Sequence, residues 1–284
     1  MTSIVEKCLE YLNEIEKYSD PRVKQWFLMK SPALPLLIIL LYLYFVQKLG
    51  PQLMKNRAPL KIEKVIILYN AVQVVLAAYT VEEACRVLWL KRNYNFLCIE
   101  INYSETVEGL EQARTVWVYL MTKLLDLLDT VFFVLRKKQS QVTFLHVYHH
   151  TLVFCFGWFV TKFYPGGHIA FFGTVNSFVH MVMYSYYLIT SLHLLKNKSL
   201  WWKKYITQMQ LIQFIVTGVH AVVALFSKDC NFPKYLIVIG LPQDIFMFTL
   251  FLDFYRKAYL QKSKKDESDK SKSNGFIKTV KEIQ

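Results

Sequence analysis

Three histidines near the middle of this 284-residue chain fall within a little more than one turn of a predicted helix. The segment HVYHH, residues 146–150, contains His146, His149 and His150 at positions i, i+3 and i+4. Residues with this spacing share one helix face, so the three imidazoles converge. Converging neutral imidazoles can ligate a metal ion, and a histidine can also act as acid, base or nucleophile. The segment is therefore a candidate active site.

Charged residues also occur inside an apolar stretch that begins at Lys123. The stretch reads KLLDLLDTVFFVLRKK, and Lys123 and Asp126 are three residues apart, so they can pair on one helix face. Asp129 follows one turn later. The two aspartates fit two alternative roles equally well, a structural ion pair and a catalytic function. Anchoring at a cytosolic membrane surface explains the basic end of the stretch, Arg136, Lys137 and Lys138.

Two further apolar segments carry polar stripes at helical spacing. In NSFVHMVMYSYY the stripe comprises Asn176, His180, Tyr184 and Tyr187. In and after ITQMQLIQF, one face carries Thr207, Gln210 and Phe214, and an adjacent face carries Gln213, Thr217 and His220. Such stripes can simply hold helices together in a membrane. Their recurrence on successive segments indicates a shared, solvated interior.

The segments that must position these residues are apolar and close to bilayer length. The chain is 54% hydrophobic and 16% aromatic, and a helix needs about 20 mostly apolar residues to cross the hydrocarbon. We therefore predict an all-α polytopic membrane protein. Its seven predicted transmembrane helices lie at about 32–48, 63–82, 115–135, 146–162, 168–190, 205–226 and 235–255.

The formal net charge of +13 is concentrated in particular loops. The segments 48–64, 136–141, 193–204 and 256–284 contain 21 of the 34 Lys and Arg residues. Short basic loops stay in the cytosol, which predicts a lumenal N-terminus and a cytosolic C-terminus. Basic loops between apolar spans need no nucleic-acid partner. We expect a polar lumenal segment at 1–31, a membrane catalytic domain at 32–256 and a disordered basic tail at 257–284.

Two of the five cysteines lie well inside the predicted lumenal loops and are candidates for a disulfide. Cys98 lies in the loop at 83–112 and Cys230 in the loop at 227–234. An oxidising compartment permits a disulfide between them, and a pair of free thiols is the alternative. The other cysteines offer no metal-ligand spacing.

In their order along the chain, the four blocks KLLDLLDTVFFVLRKK, HVYHH, NSFVHMVMYSYY and ITQMQLIQF resemble the very-long-chain fatty acid elongases. These are membrane 3-ketoacyl-CoA synthases of animals and fungi, and the resemblance covers roughly residues 25–257. It implies seven transmembrane helices, six of which enclose a narrow acyl-chain tunnel, in the endoplasmic reticulum membrane. It also implies condensation of acyl-CoA with malonyl-CoA to 3-ketoacyl-CoA, carbon dioxide and CoA, without a metal or another cofactor. The reductases and dehydratase of the elongation cycle are the expected partners, and the oligomeric state, a homo-oligomer included, stays open.

The resemblance assigns the family's histidines to HVYHH and to His180. Our hypothesis is that His149 attacks the acyl thioester and forms an acyl-imidazole. His180 and Asn176 would then assist decarboxylation of malonyl-CoA and stabilise the developing oxyanion, while His146 and His150 orient the site or shuttle protons. Three remaining histidines are expected to be structural or interfacial: His168, His193 and His220.

The phosphates of CoA require a basic site that is open to the cytosol. Arginine pairs bidentately with phosphate and lysine supplies a point charge. The first candidates lie at predicted cytosolic helix ends: Arg136, Lys138 and Lys203. Further candidates come from the family blocks or lie beside them: Lys123, Gln141, Tyr186 and Thr207.

Two other functions fit parts of the pattern. A di-iron desaturase or hydroxylase also carries HxxHH, but it needs about eight ligands in several boxes, and this chain has seven histidines and one such box. A seven-helix transporter or receptor would explain the polar interior. It would not explain histidines clustered at a membrane edge beside candidate phosphate ligands.

Overall fold

The computed structural model describes residues 14–90, 95, 97–192, 194 and 201–261. Within these residues the chain is all-helical and contains no strand. Helix α1 runs from Ala33 to Met54 and is α-helical over Ala33–Tyr44 and Gly50–Met54, with a π-helical turn at Phe45–Leu49 between them. Helix α2 comprises Glu63–Ala84 and ends in a π-helical turn at Cys85–Trp89. The other long helices are α3 (Val107–Leu135), α4 (Phe144–Phe163), α5 (Ile169–Ser191), α6 (Trp201–Phe226) and α7 (Lys234–Tyr255), which continues as a π-helix over Arg256–Gln261.

Four of these helices are long and apolar enough to cross a membrane, judged by length and composition. They are Ala33–Met54, Glu63–Val87, Trp202–Phe226 and Lys234–Gln261. Helices α3, α4 and α5 coincide with the remaining predicted spans and carry the charged block, the histidines and the Asn176 stripe. The structure confirms an all-helical chain with long apolar helices, and the count of seven spans stays a prediction.

The helices lie side by side in a closed circuit. Along the circuit each helix packs against the next in the order α2, α3, α4, α7, α6, α5 and back to α2. Helix α1 lies outside the circuit, where it packs against α3 and α4. The largest buried apolar cluster fills this outer contact and includes Tyr42, Val46, Leu120, Leu127 and Phe154.

Contacts between loops place successive connections at alternating ends of the bundle. At one end, Lys137 Nζ donates to the carbonyls of Lys55 and Arg57, which joins the segment after α3 to the segment after α1. At the other end, a disulfide joins Cys98, before α3, to Cys230, before α7, with Cα atoms 5.5 Å apart. These are the two predicted lumenal loops.

The boundaries of the predicted segments differ in detail from the helices. Helix α3 begins eight residues before its predicted span, at Val107, and the helix that contains α7 runs to Gln261, beyond the predicted boundary at 256. Polar first and last turns carry no hydropathy signal, which is why the spans were predicted too short. The predicted disordered tail beyond Gln261, residues 1–13 and His193 lie outside the described residues.

Candidate active site

The histidine segment forms the first turns of α4. Thr143 caps this helix, because its backbone is extended and its hydroxyl accepts a hydrogen bond from His146 N at 3.2 Å. Helix α4 therefore begins immediately before the histidines, which fixes the three of them on consecutive turns of regular helix.

The three imidazoles contact one another, as their spacing predicts. The ring centroids of His146 and His150 are 4.3 Å apart, and those of His149 and His150 are 5.2 Å apart with planes nearly perpendicular. His150 is buried between its two neighbours. Among the described residues, no three His, Cys, Asp or Glu side chains are arranged to hold a metal ion.

His146 is held from two neighbouring helices. Its Nε2 lies 3.0 Å from the hydroxyl oxygen of Thr130 on α3, and that hydroxyl lies 2.8 Å from Tyr42 OH on α1. Thr130 is completely buried. The hydroxyl therefore links the imidazole to two helices and fixes the orientation of the ring.

A buried ion pair forms a second cluster, on α3. Lys123 Nζ lies 2.9 Å from Asp126 Oδ2, as their three-residue separation predicts, and both side chains are buried. Gln73 on α2 donates to Asp126 Oδ1 at 2.5 Å. The hydroxyl oxygen of Tyr184 on α5 lies 3.0 Å from Asp126 Oδ1 and 2.6 Å from Asp129 Oδ2, within hydrogen-bond distance of both carboxylates. Such extra hydrogen bonds are what a buried ion pair requires if its desolvation is to be offset.

His180 on α5 joins this ion pair. Its Nδ1 lies 3.3 Å from Lys123 Nζ and 3.4 Å from Asp126 Oδ2. Both contacts involve the same ring nitrogen, so they fix the ring and direct Nε2 away from the ion pair. A small cavity of about 10 Å³ lies between His180, Lys123, Asp126 and Tyr184.

Asn176 lies one turn before His180 and contacts α3. Its Oδ1 accepts a hydrogen bond from Tyr119 OH at 3.1 Å. Lys123 Nζ lies 4.9 Å from the centre of the Tyr119 ring, which is a cation–π distance. Tyr119 therefore connects the amide of Asn176 with the cation of the ion pair.

A large apolar cavity lies inside the helix circuit. Its volume is about 250 Å³, and all six helices of the circuit contribute to its walls. His149 is the member of the histidine segment that lines it, together with apolar side chains such as Leu152, Val153 and Phe156. Tyr119 also lines this cavity. Because Tyr119 also contacts Asn176 and Lys123, it connects the cavity that His149 lines with the buried polar cluster.

The far end of the cavity is formed by residues near the disulfide. His168 and His220 stack there with ring centroids 3.7 Å apart and planes at 5°. His168 Nε2 lies 3.0 Å from the carbonyl oxygen of His220. Phe232, two residues after Cys230, also lines this end.

The candidate CoA ligands lie at the opposite end of the bundle, with one exception. Arg136 ends α3, and its Nη2 is 3.9 Å from Glu63 Oε1. Lys138, Gln141 and Lys203 are exposed nearby on the segment after α3 and on the first turn of α6. Tyr186 is half-buried in the last turns of α5. Thr207 is buried, donates to the carbonyl of Lys203 and lies 3.4 Å from Tyr259 OH.

Lys123 is the exception among these candidates. It is buried in the middle of α3, in contact with Asp126 and His180, and it is separated from the exposed cations. The position of Lys123 in the sequence block was compatible with a phosphate ligand and with a member of the buried cluster, and did not separate the two roles.

Sequence reasoning missed Gln73, Tyr69 and Tyr119. Gln73 donates to both Asp126 and Tyr69 OH, and Tyr69 OH lies 3.3 Å from Tyr184 OH. One signal was present, because Gln73 is a polar amide in the middle of an otherwise apolar predicted span. Tyr69 and Tyr119 carried no such signal, since a tyrosine in an apolar segment is common.

The fold and the site define a class of protein: a helical membrane protein that carries a histidine in the wall of a large apolar cavity. Residues 27–267 match the model of the GNS1/SUR4 family (ELO). The chain therefore belongs to this family of very long chain fatty acid elongases, and it is an enzyme of fatty acid elongation.

Curated relatives agree over most of their lengths. The chain is 41% identical to very long chain fatty acid elongase 7 of Drosophila melanogaster over 272 residues, which are 94% of this chain and 82% of the relative. It is 39% identical to elongase 7 of Rattus norvegicus over 280 residues, 98% of each chain. It is 39% identical to elongase 4 of Homo sapiens over 276 residues, 97% of this chain and 87% of the relative. These similarities do not favour a di-iron enzyme, a transporter or a receptor.

Proposed function

We propose that the chain condenses a long-chain acyl-CoA with malonyl-CoA and releases 3-ketoacyl-CoA, carbon dioxide and CoA. The names of its relatives support this reaction. The single observation that carries it is the position of His149, a nucleophilic side chain in the wall of the apolar cavity. A fatty acyl chain in that cavity would place its carbonyl carbon at this imidazole.

The membrane arrangement follows from the helix circuit. In this proposal all seven helices cross the bilayer, six of them enclose the acyl chain, and α1 flanks the tunnel. The N-terminus faces the lumen of the endoplasmic reticulum and the C-terminus faces the cytosol. The disulfide between Cys98 and Cys230 supports this orientation, because the lumen is the oxidising side of that membrane.

The first step is acyl transfer to His149. A ring nitrogen attacks the thioester carbonyl, the carbon–sulfur bond breaks, and CoA leaves as a thiol after it takes up the imidazole proton. Splitting the reaction through a covalent intermediate replaces one difficult step by two easier ones. His150 packs against the His149 ring and His146 packs against His150, which restricts the orientation of the nucleophile.

The second step is condensation. Malonyl-CoA loses carbon dioxide, and the resulting enolate carbon attacks the acyl carbonyl as the bond from that carbonyl to the imidazole breaks. The departing imidazole nitrogen takes up a proton from solvent, which regenerates neutral His149. In this proposal, Nε2 of His180 and the amide of Asn176 stabilise the enolate oxygen. The contacts of His180 Nδ1 with Lys123 and Asp126 hold this ring in position before the charge develops.

CoA binds at the cytosolic end of the bundle in this proposal. Arg136, Lys138 and Lys203 supply the charge for its phosphates, and the side chains of Gln141, Tyr186 and Thr207 complete the site. Lys123 acts at the thioester end instead, because it is paired within the buried cluster. The reaction needs no metal, and the 3-keto product passes to the reductases and dehydratase of the cycle.

Labelled malonyl-CoA tests this function. Purified protein in detergent receives a panel of acyl-CoAs, and labelled 3-ketoacyl-CoA is quantified for wild type, His149→Ala and Cys155→Ala. The last is a matched control, since Cys155 is exposed on the same helix. We expect product from wild type and the control, and a loss of at least about 1000-fold in His149→Ala, as for removal of a nucleophile. Absence of product from wild type across the panel would contradict the proposal.

A further inference from the structure

Three polar side chains lie together in the wall of the large cavity: Gln213, Thr217 and Asp244. Gln213 and Thr217 are one turn apart on α6, and both are buried. Asp244 faces them from α7, and Thr217 Oγ1 lies 3.1 Å from Asp244 Oδ1. Thr217 and Asp244 thus connect α6 and α7 at the cavity wall.

These three side chains contain more hydrogen-bond acceptors than donors. Thr217 has one hydroxyl proton, and Asp244 Oδ1 competes for it with the carbonyl oxygens of Gln213 and Phe214, at 2.9 and 3.2 Å. Gln213 Oε1 is buried and has no hydrogen-bond partner among the described residues. A buried acceptor without a donor is unfavourable, so Gln213 Oε1 can accept a hydrogen bond from a molecule bound in the cavity.

Gly218 gives the carboxylate its space. A Cβ atom at this position would lie 3.2 Å from Asp244 Oδ2. The second carboxylate oxygen therefore lies against the backbone of α6, where a larger residue would crowd it.

Ring contacts near His149 allow an estimate of how far the polar patch lies from this residue along the cavity. Phe251 contacts both His149 and Phe214, with centroids 6.0 and 5.2 Å apart. Thr217 is three residues beyond Phe214, and Asp244 is seven residues from Phe251 toward the same end. At about 1.5 Å of rise per residue, Thr217 and Asp244 lie roughly 5 to 10 Å deeper than His149, whereas Gln213, one residue before Phe214, lies closer to the level of His149. That depth corresponds to roughly four to eight carbon–carbon bonds, because each bond of an extended zigzag chain is about 1.5 Å long but advances the chain by only about 1.25 Å.

We propose that Gln213, Thr217 and Asp244 form a hydroxyl-recognition site, and that the enzyme prefers acyl-CoAs with a hydroxyl group at this depth. The inference rests on the proposed condensing function and specifies its substrate class. A saturated chain presents only C–H groups to the patch, whereas a chain hydroxyl donates a hydrogen bond to Asp244 or to Gln213 Oε1. A site built to bind a hydroxyl discriminates strongly against the analogue that lacks it.

The test uses acyl-CoAs of one chain length, unsubstituted or with a single hydroxyl at successive carbons from the thioester. The purified full-length protein receives each acyl-CoA with labelled malonyl-CoA, and kcat/KM is measured relative to the unsubstituted chain. We expect this ratio to peak at one position near the predicted depth, at about 10-fold or more. Asp244→Leu should lower the peak at least tenfold, because kcat/KM falls for the hydroxylated chain and rises for the unsubstituted one.

Asp253→Leu is the matched control, because Asp253 lies on the same helix, is exposed and pairs with Lys257 at 2.7 Å. It should leave the peak unchanged. If Leu at position 244 prevents folding, Asp244→Asn keeps the size of the side chain and should lower the peak severalfold, because a neutral acceptor binds a hydroxyl less strongly.

A flat ratio in wild type with good turnover of unsubstituted chains would overturn the inference and leave the condensing function intact. A peak that survives in both Asp244 variants would overturn it equally. Failure of wild type to condense any acyl-CoA of the panel would overturn both proposals.

Discussion

At the level of single residues, the main feature of the site is a buried ion pair. Lys123 and Asp126 are almost fully enclosed, and each has contacts beyond the other: His180 for the lysine, and Gln73 and Tyr184 for the carboxylate. Their pairing was predictable, because a separation of three residues places both on one helix face. The partners from α2 and α5 were not, because spacing within one helix says nothing about which residues of another helix will face it.

We predict that Asp126→Asn reduces both stability and turnover. The substitution preserves shape but leaves Lys123 and His180 without their carboxylate, and removing one member of a buried ion pair typically lowers stability by about 3–5 kcal/mol. Turnover should fall by about 100-fold or more, because His180 loses its orienting contact. Thermal unfolding in detergent and the condensation assay measure the two effects.

Asp253→Asn is the matched control for this change. It makes the same substitution in an exposed ion pair, and such pairs contribute at most about 1 kcal/mol. Equal unfolding temperatures for the two variants would show that the buried pair has no special role in stability.

At the scale of helices, the outer contact between α1, α3 and α4 supports the histidine segment. Tyr42 on α1, Thr130 on α3 and His146 on α4 form one chain of polar contacts inside an otherwise apolar interface. The helices themselves were predictable from apolar runs and from the i, i+3, i+4 spacing of the histidines. The π-helical turns at Phe45–Leu49 and Cys85–Trp89 were not, because their residues have no local pattern distinct from the flanking α-helix.

We predict that Thr130→Val lowers kcat about tenfold and leaves KM for acyl-CoA nearly unchanged. Valine has almost the shape of threonine but leaves His146 Nε2 and Tyr42 OH without their shared hydroxyl. The imidazole then loses its fixed orientation, while the acyl cavity keeps its shape. Steady-state kinetics with varied acyl-CoA concentration measure the effects on kcat and on KM separately.

Thr130→Ser provides the conservative comparison, because it keeps the hydroxyl and removes one methyl group. It should restore most of kcat. If serine and valine lowered kcat equally, the loss would come from packing and the positioning role of Thr130 would be wrong.

At the scale of the whole molecule, the six helices of the circuit form the walls of the cavity, and residues near the disulfide form its far end. The alternation of loops between two ends agrees with the basic loops counted in the sequence. The order of helices around the circuit could not be predicted, because polar stripes define the inward face of each helix but not its neighbours. The cavity, its polar patch and the place of Gln73 all depend on that order.

We predict that the double variant Cys98→Ser/Cys230→Ser unfolds at a lower temperature than wild type. The disulfide spans 132 residues of sequence, and closing a loop of that size contributes about 5 kcal/mol in the chain-entropy model. Thermal unfolding of protein prepared under oxidising conditions measures the difference, with Cys155→Ser as the control at an exposed cysteine. An unchanged unfolding temperature in the double variant would show that the two loops are held together without the disulfide.

The most direct measurement is the intact mass of the purified protein after incubation with a long-chain acyl-CoA in the absence of malonyl-CoA. The mechanism predicts one added acyl group per chain, release of one CoA, and discharge of the adduct into 3-ketoacyl-CoA when malonyl-CoA follows. His149→Ala should not acquire the group, and Cys155→Ala should acquire it normally. A wild-type enzyme that turns over without an adduct, or an adduct retained in His149→Ala, would contradict a reaction carried by His149.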